Sequence, residues 1–461
     1  MESLPAAVPV APVDRAWLRM DEPSNRMHIH GVLVLDGEVE REAVERAAAE
    51  RLAVIPRFRD RIAYRDGELV WEPDPAFDVA HHVVEERLPD GAGDVELAAV
   101  LAADLPRPFP PDRPLWELRL IRGHADGTIV FARLHHAIGD GVALMTVLLA
   151  LTDFPAADGS EAALSAEANP FFRVLLRRGE LEDARREAER LMPETLRLML
   201  APGEAVARLH PLLRGLGTAG ALARLVARPS DPPTPFKGPL GVDKRLAWTE
   251  RLPLSDVKAI GRALGGTVND VLNAAMVGGL RRYLEASAGP PPEDLEVRCA
   301  MPVSLRPLAD MHAMGNRFGL VFLSLPVGIP DPQRRLGELH RRAQALRRSA
   351  EPLVVLKILE AMGSLPKRVQ DWVVGLFGAK ATGVFTNVPG PRQRISFAGR
   401  PIRDIFFWVP RAGRLGLGAS IMSYNDHVRM GLGTDASLIP DPQRIVDGFH
   451  AEIEALLRLA R

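Results

Sequence analysis

The sequence has a single cysteine, Cys299, among its 461 residues. One thiol cannot form an intrachain disulfide, so a disulfide framework is excluded and a reducing, cytoplasmic environment is expected. The strand-like residues around Cys299 favour a buried core thiol over a nucleophile, and no cysteine–histidine spacing is typical of zinc. We therefore expect no metal site.

The sequence also has no large excess of charge of one sign and no long apolar run. The formal net charge is −1, so no overall positive field favours nucleic acid as a partner. No run of 18 uncharged apolar residues occurs, so we expect no transmembrane helix and only peripheral membrane contact. The first residues lack the basic flank and apolar stretch of a signal peptide. Hydrophobic residues still make up 47% of the chain, enough for the cores of two or three domains.

The strongest chemical signal is the octet Leu134-His-His-Ala-Ile-Gly-Asp-Gly141. The residues before it, 127–134, predict a strand, and the apolar residues after it, 142–150, predict a buried helix. A histidine at such a turn can remove a proton near neutral pH. Asp140 can fix the histidine by bonding its ring or by holding the turn through a buried arginine. Gly141 is expected to allow a tight turn beside a ligand. The alternative is a satisfied surface histidine pair.

Two other histidine pairs serve as comparisons. The doublet His81-His82 is followed by two valines and two glutamates, without an aspartate–glycine pair, and is interpreted as strand decoration. His28 and His30 share one face of a strand predicted over 27–35. A metal pair at these two positions is conceivable, but the sequence shows no further ligand nearby.

A second polar cluster, Gly265-Gly-Thr-Val-Asn-Asp270, leads into a long apolar helix over 271–284. The N-terminus of a helix presents unpaired N–H groups and positive dipole charge, which suit a developing oxyanion. On the residues alone, two interpretations stay open. The turn contributes to a site, or Thr267 or Asn269 is merely the N-cap of a buried helix.

Two further segments also keep alternatives. Residues 205–228 contain four arginines and no acidic residue. They form either interdomain helices with a solvated basic face or a patch that lies on anionic lipid. Residues 351–378 are apolar and predicted to be helical, and either a core or the wall of an acyl tunnel fits them. The proline-rich segment 229–236 predicts a linker between domains.

The octet resembles the H-H-x-x-x-D-G signature of the CoA-dependent acyltransferase superfamily. Further short motifs, spread over nearly the whole chain in the order that the superfamily shows, are similar to those of the bacterial wax ester synthase/diacylglycerol acyltransferases. These motifs are Pro114-Leu-Trp116, which precedes the octet, and Asn269-Asp270, Pro302-Val-Ser304, Gly315-Asn316 and Asn387-Val-Pro-Gly390, which follow it.

The resemblance implies an α/β fold of two chloramphenicol-acetyltransferase-like domains. Each would be a mixed open sheet with helices, and the active-site channel would lie between them. We expect an N-terminal domain with the octet over 1–200, interdomain helices and linker over 201–240, and a C-terminal domain over 241–461.

The resemblance also implies an acyl-CoA-dependent O-acyltransferase that esterifies diacylglycerol, long-chain alcohols or both, at a peripheral membrane or lipid-droplet surface. His136 would be the general base in a direct transfer, with no permanently bound cofactor and acyl-CoA as co-substrate. His135 would orient the loop or line the channel. Two alternatives remain, namely a lipid- or acyl-CoA-binding protein without turnover and an acyltransferase for a non-lipid hydroxyl.

The remaining site residues also take their roles from the resemblance. Asn269 and Asp270, with Thr267, would line the tunnel near the reacting carbonyl or shape its walls. Asp140 would be structural, with Arg306 as its salt-bridge partner. Arg306 could instead contact a CoA phosphate.

Overall fold

The computed structural model describes residues 7–153, 223, 225–306, 310, 313–347, 349–411 and 413–461. The segment for which a lipid-binding patch was considered, 205–228, lies almost wholly outside the described residues. The described α-helices are Pro12–Met20, Arg41–Arg51, Asp94–Asp104, Gly141–Leu151, Leu254–Leu264, Val268–Ala288, Pro332–Arg347, Glu351–Met362, Lys367–Gly378 and Gln443–Ala460. None of these helices combines the length and apolar character needed to span a bilayer.

The strands form three sheets. They are β1 (Val8–Pro9), β2 (His28–Leu35), β3 (Asp60–Arg65), β4 (Glu68–Pro73), β5 (Val83–Ala92), β6 (Trp116–His124), β7 (Thr128–His135), β8 (Lys244–Trp248), β9 (Leu252–Pro253), β10 (Val297–Ser304), β11 (Phe318–Leu325), β12 (Gly383–Pro389), β13 (Ser396–Phe397), β14 (Arg400–Trp408), β15 (Leu417–Tyr424) and β16 (His427–Asp435).

The first large sheet has the order β13-β14-β2-β7-β6-β5 and carries the octet at the end of β7. Strand β5 is parallel to β6, and the other pairs are antiparallel. The β6–β7 register pairs 116–121 with 129–134. The small sheet β1-β4-β3 contains a hairpin, whose turn residues Asp66 and Gly67 have φ of 50° and 81°.

The second large sheet has the order β11-β10-β12-β15-β16-β8, and β9 also pairs with β16. Strand β12 runs parallel to both of its neighbours, so this sheet is mixed as well. The helix Val268–Ala288 packs between this sheet and the helix Gln443–Ala460, and almost every residue of its first four turns is buried. An apolar helix with no polar face belongs in a core, as the sequence indicated.

Strand β14 crosses from the second half of the chain into the first sheet. It pairs antiparallel with β2, and Trp408 lies opposite His30. The two halves of the molecule therefore share a sheet, and residues far apart in sequence meet where the octet lies.

Candidate active site

The octet folds as the predicted strand, turn and helix. Strand β7 ends at His135, and the helix Gly141–Leu151 begins six residues later. Asp140 is the N-cap, and its Oδ1 accepts from the N–H groups of Val142 and Ala143 at 3.1 and 3.0 Å. The carboxylate thereby satisfies two N–H groups that a helix start leaves unpaired.

The ring of His136 lies at the contact between the two halves of the chain. It stacks on Trp17 with a centroid distance of 4.2 Å, and Phe318 from the second half lies 5.5 Å away. Its Nδ1 is 2.9 Å from Oδ1 of Asn316. His136 is buried, with 9% of its surface exposed. The first half of the chain thus provides the imidazole and the stacking Trp17, and the second half provides Asn316 and Phe318, which contact the ring.

Asn316 determines which ring nitrogen carries the proton. Its Nδ2 donates to the backbone oxygen of His136 at 2.7 Å and to Oδ1 of Asp14 at 2.8 Å. These two bonds fix the orientation of the amide, so the atom facing the imidazole is an oxygen, which can only accept. The neutral ring must then carry its proton on Nδ1, and Nε2 keeps a free lone pair.

Burial sets the charge state of this site. It lowers the pKa of His136 below its usual 6.5, while the histidine's own backbone oxygen, the charge of Asp140 and the bond to Asn316 oppose that shift. Burial also raises the pKa of Asp14, against the effect of Arg57, whose Nη1 lies 3.1 Å from its Oδ2. A lowered pKa leaves the imidazole neutral near pH 7, which is the form that a general base requires.

We expect Asn316→Ala to lower kcat/KM about tenfold, because the variant loses the hydrogen bond that orients His136, and such a bond contributes about 1 kcal/mol. The acid limb of the pH–rate profile should lie below pH 6.5 in the wild type, because His136 acts only when deprotonated and burial lowers its pKa. It should move further down in the variant, since the bond to Asn316 raises that pKa. The kcat/KM profile between about pH 4.5 and 8 checks both statements. A limb at or above its wild-type position in the variant would contradict the role given to Asn316.

Asp140 also reaches across to the second half of the chain. Its Oδ2 lies 2.9 Å from Nη2 of Arg306 and accepts the N–H of Arg317 at 2.8 Å. The predicted ion pair is therefore present. Both side chains are buried, and Arg306 also donates to the backbone oxygens of Ala313 and Gly315. Arg306 is 2% exposed but also lines the cleft described below, so its contact with a CoA phosphate stays a prediction.

His135 lies on the other face of β7. Its Nδ1 accepts the N–H of Ala137 at 3.0 Å, and its Nε2 is 3.9 Å from Oδ1 of Asp21. Burial lowers the pKa of His135 to about 3, so the ring is neutral. These contacts fit the interpretation in which His135 orients the loop.

His28, His135 and Asp21 place three potential ligand atoms within 4.8 Å of one another. The sequence gave no third ligand beside His28, but the fold brings Asp21 and His135 to it. The chemistry of this set does not suit a metal. Nδ1 of His135 already accepts a hydrogen bond, so its proton sits on Nε2, the atom that faces Asp21.

The turn at Gly141 does not need a glycine backbone, and a ligand beside this residue stays a prediction. Its φ lies outside the left-handed region, and a Cβ built on it would meet nothing within 4 Å. Gly141 is exposed and simply opens the helix. The glycine of this region that adopts a left-handed φ is Gly315, at +88°, where another residue would be strained. Gly315 forms a β-bridge with Gly139 across the two halves of the chain.

We expect Gly141→Ala to leave the protein at least as stable as wild type, because alanine restricts the unfolded chain and meets no obstacle here. If a substrate passes this exposed helix start, KM should rise while the thermal midpoint does not fall. Gly315→Ala is the matched control and should destabilise the protein, because alanine at φ +88° is strained. A lower midpoint for Gly141→Ala than for Gly315→Ala would contradict this assignment.

The second cluster forms a complete helix cap. The side chain of Thr267 accepts the N–H of Asp270 at 3.2 Å, and Oδ2 of Asp270 accepts the N–H of Thr267 at 2.9 Å. That carboxylate also lies 2.7 Å from Nδ1 of His340. Asn269 accepts from Nδ2 of Asn387 at 3.1 Å. In the described part of the chain, no hydrogen bond joins these residues to His136.

A cleft of about 810 Å³ lies beside Asn316, the residue that holds the imidazole, and His136 itself does not line it. Asp14 and Asn316 line it, together with Arg57 and the helix residues Leu353 and Leu356. Asn316 therefore faces the cleft and holds His136 at the same time. The predicted helix over 351–378 is two helices, and only the first, Glu351–Met362, contributes to this wall.

Sequence reasoning missed the partners of His136. Asn316 was noted as part of a motif without a role, and no motif included Asp14 or Trp17. Asn316 and Asp14 are 302 residues apart. No spacing along the chain indicates such a contact, and the unexplained Gly315-Asn316 pair was the one available signal.

Comparisons with known proteins agree with this fold. A family model described as the wax ester synthase/diacylglycerol acyltransferase catalytic domain matches residues 10–272, and one described as the WS/DGAT C-terminal domain matches residues 314–457. A probable diacylglycerol O-acyltransferase of Mycobacterium tuberculosis is 26% identical, over 97% of this chain and 96% of the relative. A putative diacylglycerol O-acyltransferase of the same species is 28% identical, over 96% and 89%.

Solved structures show the same fold. The wax ester synthase/diacylglycerol acyltransferase from Marinobacter aquaeolei VT8 superposes with a TM-score of 0.68 at 22% identity, over 98% of this chain and 99% of that chain. A starter condensation domain of rhizomide synthetase, crystallised with C8-CoA, gives 0.58 at 16% identity, over 99% and 95%. The predicted α/β fold with two sheet-rich domains is confirmed.

Proposed function

Because the chain belongs to the wax ester synthase/diacylglycerol acyltransferase family and is an O-acyltransferase, we propose that it moves a fatty acyl group from acyl-CoA to a lipid hydroxyl. The acceptor is diacylglycerol, a long-chain alcohol or both. The relatives named as diacylglycerol O-acyltransferases support the acceptor class, and the condensation domain crystallised with C8-CoA supports the donor.

In the proposed step, Nε2 of His136 takes the proton from the acceptor hydroxyl as its oxygen attacks the thioester carbonyl. The tetrahedral intermediate collapses, the carbon–sulfur bond breaks, and the CoA thiolate receives the proton from His136. Ester and CoA are the products, and no bond to the enzyme forms. The step uses acyl-CoA as co-substrate and needs no permanently bound cofactor.

The observation that carries this proposal is the bond from Nδ1 of His136 to Asn316. It places the proton on Nδ1 and so leaves the lone pair of Nε2 for the acceptor, and burial favours the neutral ring. Both features support a general base. His135, on the opposite face of the strand, holds the turn. Asp140 and Arg306 hold the two halves together around it.

The remaining parts of the proposal concern the surroundings of His136. Asn269 and Asp270 shape the tunnel wall beyond the imidazole, with Thr267 as the helix cap. The chain divides into an acyltransferase domain over 1–200, interdomain helices and linker over 201–240, and a second domain over 241–461. The enzyme works in the cytoplasm, at the inner membrane face or at lipid droplets.

The test is thiol release from palmitoyl-CoA with dioleoylglycerol, with hexadecanol or without acceptor. Release that depends on either lipid acceptor supports the proposal and ranks the two. Binding of palmitoyl-CoA without acceptor-dependent release would identify a binding protein instead. Release only with a small polar alcohol would identify a non-lipid acceptor.

A further inference from the structure

The helix Lys367–Gly378 exposes large apolar side chains. Of the six tryptophans in the chain, five are at most 7% exposed, whereas Trp372 is 67% exposed. Val369 is 41% exposed, and Leu365, just before the helix, is 36% exposed. Neighbouring exposed apolar residues of this size need an explanation that single ones do not.

These residues form a continuous stripe. Val369, Trp372, Val373 and Leu376 follow one another at the spacing of a single helix face. Gln370, on another face, is completely buried and donates to the backbone oxygen of Ala16 at 2.9 Å. The inner side of the helix is held by Gln370, and Val373, Val374 and Phe377 pack partly buried against the core. The outer edge of the stripe, with Val369 and Trp372, stays exposed.

Exposed cations flank the stripe. Lys367 and Arg368 lie at the start of the helix, and the exposed Arg414 lies at its end, where its backbone N is 3.3 Å from a Cβ built on Gly378. Lys367 is paired with Asp371 at 2.7 Å and lies 3.7 Å from Glu22. Arg368 and Arg414 have no ion pair within the described part of the chain, so the rim keeps a small surplus of positive charge, which suits an anionic surface.

The stripe lies beside the cleft that Asn316 lines. Its helix follows directly on Glu351–Met362, whose residues Leu353, Leu356 and Lys357 line that cleft. Arg19, in the helix that carries Trp17, donates to the backbone oxygen of Leu365 at 2.8 Å. A surface that rested on the stripe would lie close to the opening of the cleft.

We propose that the stripe on Lys367–Gly378 docks the protein onto a membrane surface containing anionic phospholipid, with Trp372 inserted at the level of the headgroups. Tryptophan prefers this depth, where its ring meets apolar chains and its N–H meets polar groups. The purpose of the docking rests on the proposed function, because diacylglycerol resides in lipid and must enter the cleft from it.

Tryptophan fluorescence tests the proposal, because Trp372 is the exposed fluorophore. Vesicles of dioleoylphosphatidylcholine with roughly a third dioleoylphosphatidylglycerol should shift its emission to the blue and protect it from acrylamide. Trp372→Gln should weaken vesicle binding in flotation about tenfold or more. Trp372→Phe should retain most binding but lose the emission change. Tyr64→Gln is the matched control, because Tyr64 is 72% exposed and lies on strand β3, away from the stripe. This variant should bind vesicles as the wild type does.

Emission that does not respond to vesicles, or equal flotation of Trp372→Gln and wild type, would overturn the proposal. Protection from acrylamide before vesicles are added would also overturn it, because a second copy or another part of the chain then covers the stripe. Acyl transfer to a short soluble alcohol, measured without vesicles, keeps the two proposals separate. Trp372→Gln should match the wild type there, and vesicle binding without any transfer would count against the proposed function alone.

Discussion

Replacing His136 with alanine is expected to lower kcat/KM by about 10²–10⁴-fold, the usual contribution of a general base. The reason is geometric as well as chemical. Nδ1 is engaged by Asn316, so Nε2 is the ring atom left to take the proton of the acceptor. Without it, the hydroxyl must attack the thioester while still protonated. Acceptor-dependent thiol release from palmitoyl-CoA measures the effect.

Folding must be separated from chemistry in this variant, because the ring of His136 also stacks on Trp17 at 4.2 Å. Circular dichroism and the thermal midpoint should show a folded protein. His81→Ala is the matched control, because His81 also belongs to a histidine doublet but is exposed. It should keep wild-type activity. Near wild-type turnover by a folded His136→Ala protein would remove the proposed mechanism.

The local parts of the site could be predicted from the sequence because their signals are local. The strand before the octet, the helix after it and the cap at Thr267 each depend on residues within a few positions. The Asp140–Arg306 pair came from a resemblance in two motifs, and no periodicity indicates it. Asn316 lacked such a precedent, and its role emerged only when the fold placed it 2.9 Å from His136.

The long-range parts of the fold were not predictable in the same way. Strand β14 ends in the apolar run Ile405-Phe-Phe-Trp408, which is typical of a buried strand, but its pairing with β2 joins residues more than 360 positions apart. An apolar run indicates that a strand is buried, and it does not say which strand lies beside it. The exposure of the stripe around Trp372 could not be predicted for a related reason, because an apolar helical pattern alone indicates burial in a core.

Arg306→Met is expected to cost about 3–5 kcal/mol of unfolding free energy, the typical effect of breaking a buried ion pair. The carboxylate of Asp140 would remain buried beside three N–H donors with no cation to balance its charge. Chemical denaturation followed by circular dichroism measures the loss. Activity should fall with it, because Asp140 and Arg306 join the octet to the segment that carries Asn316.

The neighbouring Arg317→Met is the matched control for that measurement. Its guanidinium pairs at 2.9 Å with Asp310, and both side chains are about half exposed, so its loss should cost only about 0–1 kcal/mol. Adding Asp140→Asn to Arg306→Met removes the unbalanced charge and should restore part of the stability, because the amide oxygen can still cap the helix. Equal stability of Arg306→Met and Arg317→Met would show that the pair does not hold the two halves together. Asp140 would then act on His136 through the helix cap alone.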